Sequence, residues 1–174
     1  YEKYGLWKEK TIMAHCVHSD EREQDAMIRH NVLCVHCPDS NINICSGFTP
    51  VRKMAERGVW LALGSDIAGG ALLPMLQVLT GALRMSKARA IATEGAEPFL
   101  TVGEAYYLAT SAGAKYFGDR EGFAPGNRLH AVVIDDREFP ESTRALTVKE
   151  RFERAVYLAG AEDICAVYGD GERI

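Results

Sequence analysis

No hydrophobic stretch of this chain runs more than a few residues before an Arg, Lys, Glu or Gly interrupts it. A membrane-spanning helix needs about 20 apolar residues in a row, so none is expected. Lys and Arg form no block: 20 basic and 24 acidic side chains leave a formal charge of -4, which argues against nucleic acid or an anionic membrane as partner. The opening Tyr1-Glu2-Lys3-Tyr4 has neither an initiator Met nor a signal-peptide pattern, and reads as the start of a processed chain or a fragment. There is no P-loop, no solenoid-length repeat and no low-complexity tract. The H-x-E and P-C-x-x-C pairing of one class of zinc site is missing too. Cysteine is odd in number, with Cys16, Cys34, Cys37, Cys45 and Cys165. That suits free thiols in a reducing cytoplasm better than a disulfide framework.

What is present is an ordinary globular balance, 47% hydrophobic and 25% charged over 174 residues. This is enough for one domain with a real core. Residues 10–17, 32–36 and 59–64 are short continuous apolar runs. Strands buried on both faces look like this, which predicts a parallel sheet covered by helices. Helices are expected between them. Asp20 with Glu23 offers a cap for residues 21–30, and Thr49 as N-cap with Pro50 at the first position starts another that ends near Gly58. Further helices are expected over 73–92 and, from the capping box Thr101/Glu104, over 101–117. Residues 37–47, polar with Pro38 and Gly47, read as a loop. After Gly118 a turn-rich linker leads to a strand at 130–135, a helix at 147–158 capped by Thr147, and a last strand at 163–168.

In parallel βα units the functional edge is where the strands end. His15 ends the first run, His36 the second, and Asp66 follows the third. A neutral imidazole and a carboxylate suit Zn²⁺. A carboxylate beside an acidified water can also take its proton. The bland readings stand beside this one: a strand-end His is often structural, and Asp66 before Ala68-Gly69-Gly70 could simply cap a turn. The Cys34-x-x-Cys37 pair reads as buried thiols rather than a metal or redox site.

The wording of the motifs adds to the pattern. Ala14-His15-Cys16, then His36-Cys37-Pro38-Asp39-Ser40-Asn41 with Ser46-Gly47-Phe48, then Gly64-Ser65-Asp66-Ile67-Ala68-Gly69-Gly70 come in that order. This resembles the guanine deaminases of the amidohydrolase superfamily. Residues 125–134 resemble that family's return strand and 152–167 its closing helix and strand, so the likeness covers nearly the whole chain.

The resemblance implies an α/β fold: residues 1–120 as about three βα units from the C-terminal part of a (β/α)₈ barrel, and 121–174 as a return segment joining a small β-structure. It implies His15 as a metal ligand, Asp66 as metal ligand and catalytic proton shuttle, and His36, Ser40 and Asn41 as pocket wall. The cofactor would be Zn²⁺, with Fe²⁺ as the alternative, and the substrate a small purine. The reaction would be hydrolysis of guanine to xanthine and ammonia, with adenosine derivatives, oxidised guanine and chlorotriazines as alternative substrates and a non-catalytic module as another reading. The family's remaining metal ligands, its Glu and its purine-reading Arg would all precede Tyr1. The chain alone is therefore expected to be inactive, and to pair through its open edges with a missing N-terminal half or a second copy, the family tending to dimerise. At His130 the family commonly has Asp, and that position reads as structural.

Overall fold

The structure, a computed structural model, describes residues 1–120 and 122–174. The expected division between 120 and 121 has Glu121 on one side, outside the described residues.

The first unit is α/β. Strands β1 (Ile12–Ala14), β2 (Leu33–His36) and β3 (Leu61–Leu63) are parallel and lie in the order β1-β2-β3. Ala14 pairs with Val35, and His36 with Leu63. All three strands therefore point the same way, and their ends come out on one edge. Among the described residues the sheet stays open, with one free edge on β1 and another on β3. Strands β2 and β3 are buried, as their apolar runs predict. β1 departs from that expectation: Ile12 is 47% exposed, because β1 is an edge strand whose outer side no described element covers.

Helix α1 (Glu21–Arg29) joins β1 to β2, and the Asp20 carboxylate caps it by accepting from the Glu23 N–H at 2.8 Å. The stretch after β2, expected as a loop, instead opens with helix α2 (Pro38–Asn43). Pro38 sits in its first turn, where a missing N–H costs nothing, and Asp39 favours the positive end of the helix dipole. Helix α3 (Val51–Glu56) follows, and Gly58 takes a left-handed φ of 92° after it. Thr49 is not its cap; the helix begins one residue later, behind Pro50.

Helix α4 (Met75–Ala92) buries Val78, Leu79, Ala82 and Leu83 in the main core with Met27, Met54 and Leu61. The single helix expected over 101–117 is two, α5 (Val102–Ala109) and α6 (Ser111–Phe117). Thr110 breaks it by leaving helical backbone (φ −129°, ψ −92°) while its hydroxyl bonds the Tyr106 carbonyl. The capping boxes at Thr101 and Thr147 form as expected. Strand β4 (Ala131–Ile134), helix α7 (Val148–Leu158), strand β5 (Ile164–Gly169) and the short strand β6 (Glu172–Arg173) complete the chain. The last three strands make a separate antiparallel sheet in the order β4-β5-β6. Helix α7 ties this segment to the first unit: Val156 enters the main core, and its carbonyl accepts from Thr80 at 2.7 Å. No helix of the described residues is long and apolar enough to cross a membrane.

Candidate active site

β2 lies between β1 and β3, so the chain ends that carry His15 and Asp66 start two strand spacings apart, about 9–10 Å. Their side chains close that gap above the end of β2. His15 Nε2 stands 3.8 Å from Asp66 Oδ2, and both side chains remain open to solvent, 38% and 40% exposed. The sequence pattern puts these two groups on one edge, and the structure brings them face to face.

The backbone bends sharply to do this. His15 (φ 70°) and Cys16 (φ 48°) are left-handed at the first strand exit, and Asp66 (φ 44°) and Ala68 (φ 88°) at the third. None is a glycine, so each costs roughly 1–2 kcal/mol. Such strain gathers where a side chain must be aimed rather than merely packed.

Helix α2 holds both exits. From it, Asn41 Oδ1 lies 2.9 Å from His15 Nδ1, and Asn41 Nδ2 donates to Thr49 Oγ1 at 3.0 Å. Thr49 Oγ1 donates in turn to the His15 carbonyl at 3.2 Å. On the other side Asp39 accepts from the Ala71 N–H, and Asn43 Nδ2 donates to the Gly69 carbonyl at 2.7 Å. The Ser46-Gly47-Phe48 segment is pinned to α4, where Arg89 donates to the Phe48 carbonyl at 2.6 Å while bonding Glu97.

His36, Ser40 and Asn41, read from the sequence as pocket wall, are all buried. Asn41 spends both ends of its amide on neighbours. His36 and Ser40 do the reverse: among the described residues neither ring nitrogen of His36 nor the Ser40 hydroxyl has a hydrogen-bond partner. Burial, with the nearby His15 adding to it, pulls the His36 imidazole down to about 4, so it is neutral at physiological pH. Burial and the Asp66 carboxylate push the Cys37 thiol up to about 11. Hydrogen bonding to Cys16, then burial, raises Cys34 as well. Cys34 and Cys37 are thus protonated thiols, whereas the hydrogen bond with Cys34 lowers Cys16, and all five cysteines are free. His130 Nε2 faces the Asp170 carboxylate at 3.4 Å, with both side chains exposed.

Thr49, Asp39 and Asn43 are the parts of the site that sequence reasoning missed. Thr49 looked like a helix cap because Pro50 follows it. Asp39 and Asn43 lie in the polar stretch read as loop, and only helical spacing shows that both reach the 69–71 loop while Asn41 reaches His15 on the opposite side.

A model of the amidohydrolase family matches residues 1–168. The chain belongs to the amidohydrolase family. Within it, this amidohydrolase is 34% identical to the guanine deaminase of Dictyostelium discoideum over 180 residues, covering 100% of this chain and 40% of that protein. It superposes on the crystal structure of C. acetobutylicum guanine deaminase with bound guanine at a TM-score of 0.91 and 38% identity, over 100% of this chain and 41% of that one. It also matches an adenosine deaminase of Xanthomonas campestris with bound zinc at a TM-score of 0.82 and 26% identity, over 99% of this chain and 38% of that one. The chain thus spans about 40% of the length of the amidohydrolases it matches.

Does the edge suit a divalent cation? Two donors bound to one tetrahedral zinc at about 2.0–2.2 Å stand roughly 3.4 Å apart. The 3.8 Å between His15 Nε2 and Asp66 Oδ2 is within a few tenths of that, and the donor types fit. No group of three or more His, Cys, Asp or Glu side chains among the described residues is arranged to share an ion. The fit is therefore that of half a site.

Proposed function

We propose that this chain forms part of a metal-dependent site that hydrolyses guanine to xanthine and ammonia. The observation that carries the proposal is the His15–Asp66 pair at 3.8 Å across the strand ends, in a chain similar over its whole length to guanine deaminases. His15 and Asp66 would hold the ion, zinc being the leading candidate because a zinc-bound relative shares the fold. When bound, it would supply Lewis acidity that brings a water's pKa from 15.7 to near 7.

The chain's own groups do the rest. The carboxylate of Asp66 accepts a proton from the attacking water as the new C–O bond forms at C2 of the purine, and returns it to the departing amine as the C–N bond breaks. His15, with Nδ1 held by Asn41, keeps its ring aimed at that position. The unpartnered His36 and Ser40 offer hydrogen-bonding atoms to what enters beside them. Glycines at 69 and 70 let the loop lie flat against α2.

Two protein donors fall short of the three that catalytic zinc sites use. The isolated 174-residue chain is therefore proposed to be inactive and to bind metal weakly. On this reading the open sheet is a sector of a (β/α)₈ barrel, and the free edges of β1 and β3 pair with further strands, whether of a longer chain or a second copy. Free rather than disulfide-bonded cysteines suit a cytoplasmic location. The likeness to the zinc-bound adenosine deaminase keeps an adenosine derivative as the second reading.

The test is ammonia release from guanine, adenosine derivatives and chlorotriazines by the zinc-loaded protein in its full length, with zinc content measured alongside. Guanine should be the best substrate, and Asp66→Ala should lose both turnover and zinc. Turnover preserved in Asp66→Ala would remove the role assigned to that carboxylate. Zinc retained in His15→Ala would move His15 from the ion to the water or the substrate.

A further inference from the structure

The three hydrogen bonds around His15 form a closed circuit with only one consistent direction. The His15 carbonyl can only accept, so the Thr49 hydroxyl must spend its single hydrogen there. Thr49 Oγ1 can then only accept from Asn41, which requires the amide nitrogen at that end. The other end of the amide, Oδ1, is therefore the atom turned to His15. A carbonyl oxygen cannot donate, so His15 Nδ1 must carry the hydrogen. In the neutral ring that leaves Nε2 bare, with its lone pair on the side of Asp66.

The reverse orientation fails at a specific point. Turning the amide over sets its oxygen against a Thr49 oxygen whose hydrogen is already committed. Asn41 and Thr49 are 1% and 3% exposed, so no bulk water can repair the missing bond. Asn41 is further fixed through its backbone, whose N–H bonds the Cys37 carbonyl and whose carbonyl accepts from the Ser46 N–H at 2.8 Å.

We propose that Asn41 and Thr49 are positioning residues that set the tautomer of His15, holding Nδ1 protonated so that Nε2 is offered bare to the reacting centre. This deepens the reading of the His15–Asp66 edge and rests on it for its catalytic meaning. The sequence puts Asn41 in the pocket wall, whereas its geometry makes it the group that selects which nitrogen of His15 is available. A ring in the other tautomer would point an N–H at the site and could accept neither a cation nor a proton there.

The test reads the tautomer directly. The imidazole nitrogens of His15 are observed by ¹⁵N NMR in the metal-free, full-length protein, in wild type and in Asn41→Leu, Asn41→Asp and Thr49→Val. Zinc affinity and guanine turnover are measured on the same samples. Wild type should show Nδ1 protonated and Nε2 bare. Asn41→Asp still offers an acceptor to Nδ1 and should keep that nitrogen protonated, at a cost in stability because its second oxygen cannot donate to Thr49. Asn41→Leu and Thr49→Val should shift part of the population to Nε2–H, and zinc binding should weaken by about 10–100-fold. If Asn41→Leu does not fold, Thr49→Val, which keeps the side-chain shape, decides the matter. A wild-type ring protonated at Nε2, or a wild-type pattern in each folded Leu or Val variant, overturns the proposal. A protein with the expected tautomer shifts but no ammonia from guanine would overturn the functional reading and leave this one standing.

Discussion

Gly69→Ala is the substitution best suited to separate aim from stability. A Cβ at position 69 would fall 2.6 Å from Asp66 Oδ2 and 2.7 Å from Ser40 Oγ, where ordinary contact begins at 3.4 Å. Asp66 must therefore give way by about 0.8 Å. Both atoms are side-chain ends, so the strain can escape by rotating the carboxylate without moving the backbone. That rotation takes Oδ2 off the line it shares with His15. Displacements near 1 Å in a positioned catalytic group cost about 100-fold, equivalent to about 2.7 kcal/mol of transition-state stabilisation. Folding should lose less than the reaction does, at most about 2–3 kcal/mol. Alanine gains roughly 0.4–1 kcal/mol by narrowing the unfolded chain, against about 1–3 kcal/mol of crowding. The neighbouring Gly70→Ala is the control, because its Cβ would meet the Ser40 nitrogen and the Ser65 carbonyl at 3.0 Å, and backbone cannot rotate aside. Steady-state guanine hydrolysis and thermal unfolding of the full-length protein should show Gly69→Ala losing about two orders of magnitude in kcat/KM with a modest fall in Tm. Gly70→Ala should lose more Tm. Near-wild-type turnover in Gly69→Ala would refute the claim that the position of Asp66 matters.

His36 should make stability depend on pH. Its ordinary value is 6.5 and its folded value about 4, so between these the unfolded chain holds a proton that the folded chain does not. Stability is then complete above pH 6.5 and drains as pH falls toward 4, by ~3 kcal/mol in all. Urea unfolding of wild type and His36→Met at pH 7 and pH 4.5 checks this; an equal gap between the two proteins at both pH values would contradict it. Ala68→Gly should raise Tm by a few degrees by relieving the left-handed φ of 88° at an exposed position. A fall in Tm would show that the Ala68 side chain contributes more than its backbone costs.

The strands and the shared edge that carries His15 and Asp66 were legible because their cause is local. Leu33 to His36 and Leu61 to Leu63 are short apolar runs, and a residue placed just after such a run in a parallel sheet can only emerge at the shared edge. Helix α2 was not legible, because Asp39, Ser40, Asn41 and Asn43 have weak helix preference and favour turns in isolation. They are helical here because their side chains find partners in loops distant in sequence, His15 among them. The break at Thr110 was hidden for the opposite reason: the small residues around it suit one long helix, and a single hydroxyl back-bonded to Tyr106 interrupts it. The tautomer circuit was beyond reach, since it joins positions 15, 41 and 49 through bonds whose direction only coordinates reveal.

The short splint between β2 and the Ser46-Gly47-Phe48 segment has a consequence for how the protein fails on warming. Helix α2 is six residues long and its N-cap Cys37 makes no side-chain cap, yet it is the anchor for both reactive loops. Local openings of this kind need far less free energy than loss of the whole core. Heated samples should therefore fall silent well before they denature, and recover on cooling provided that nothing has trapped the loosened loops.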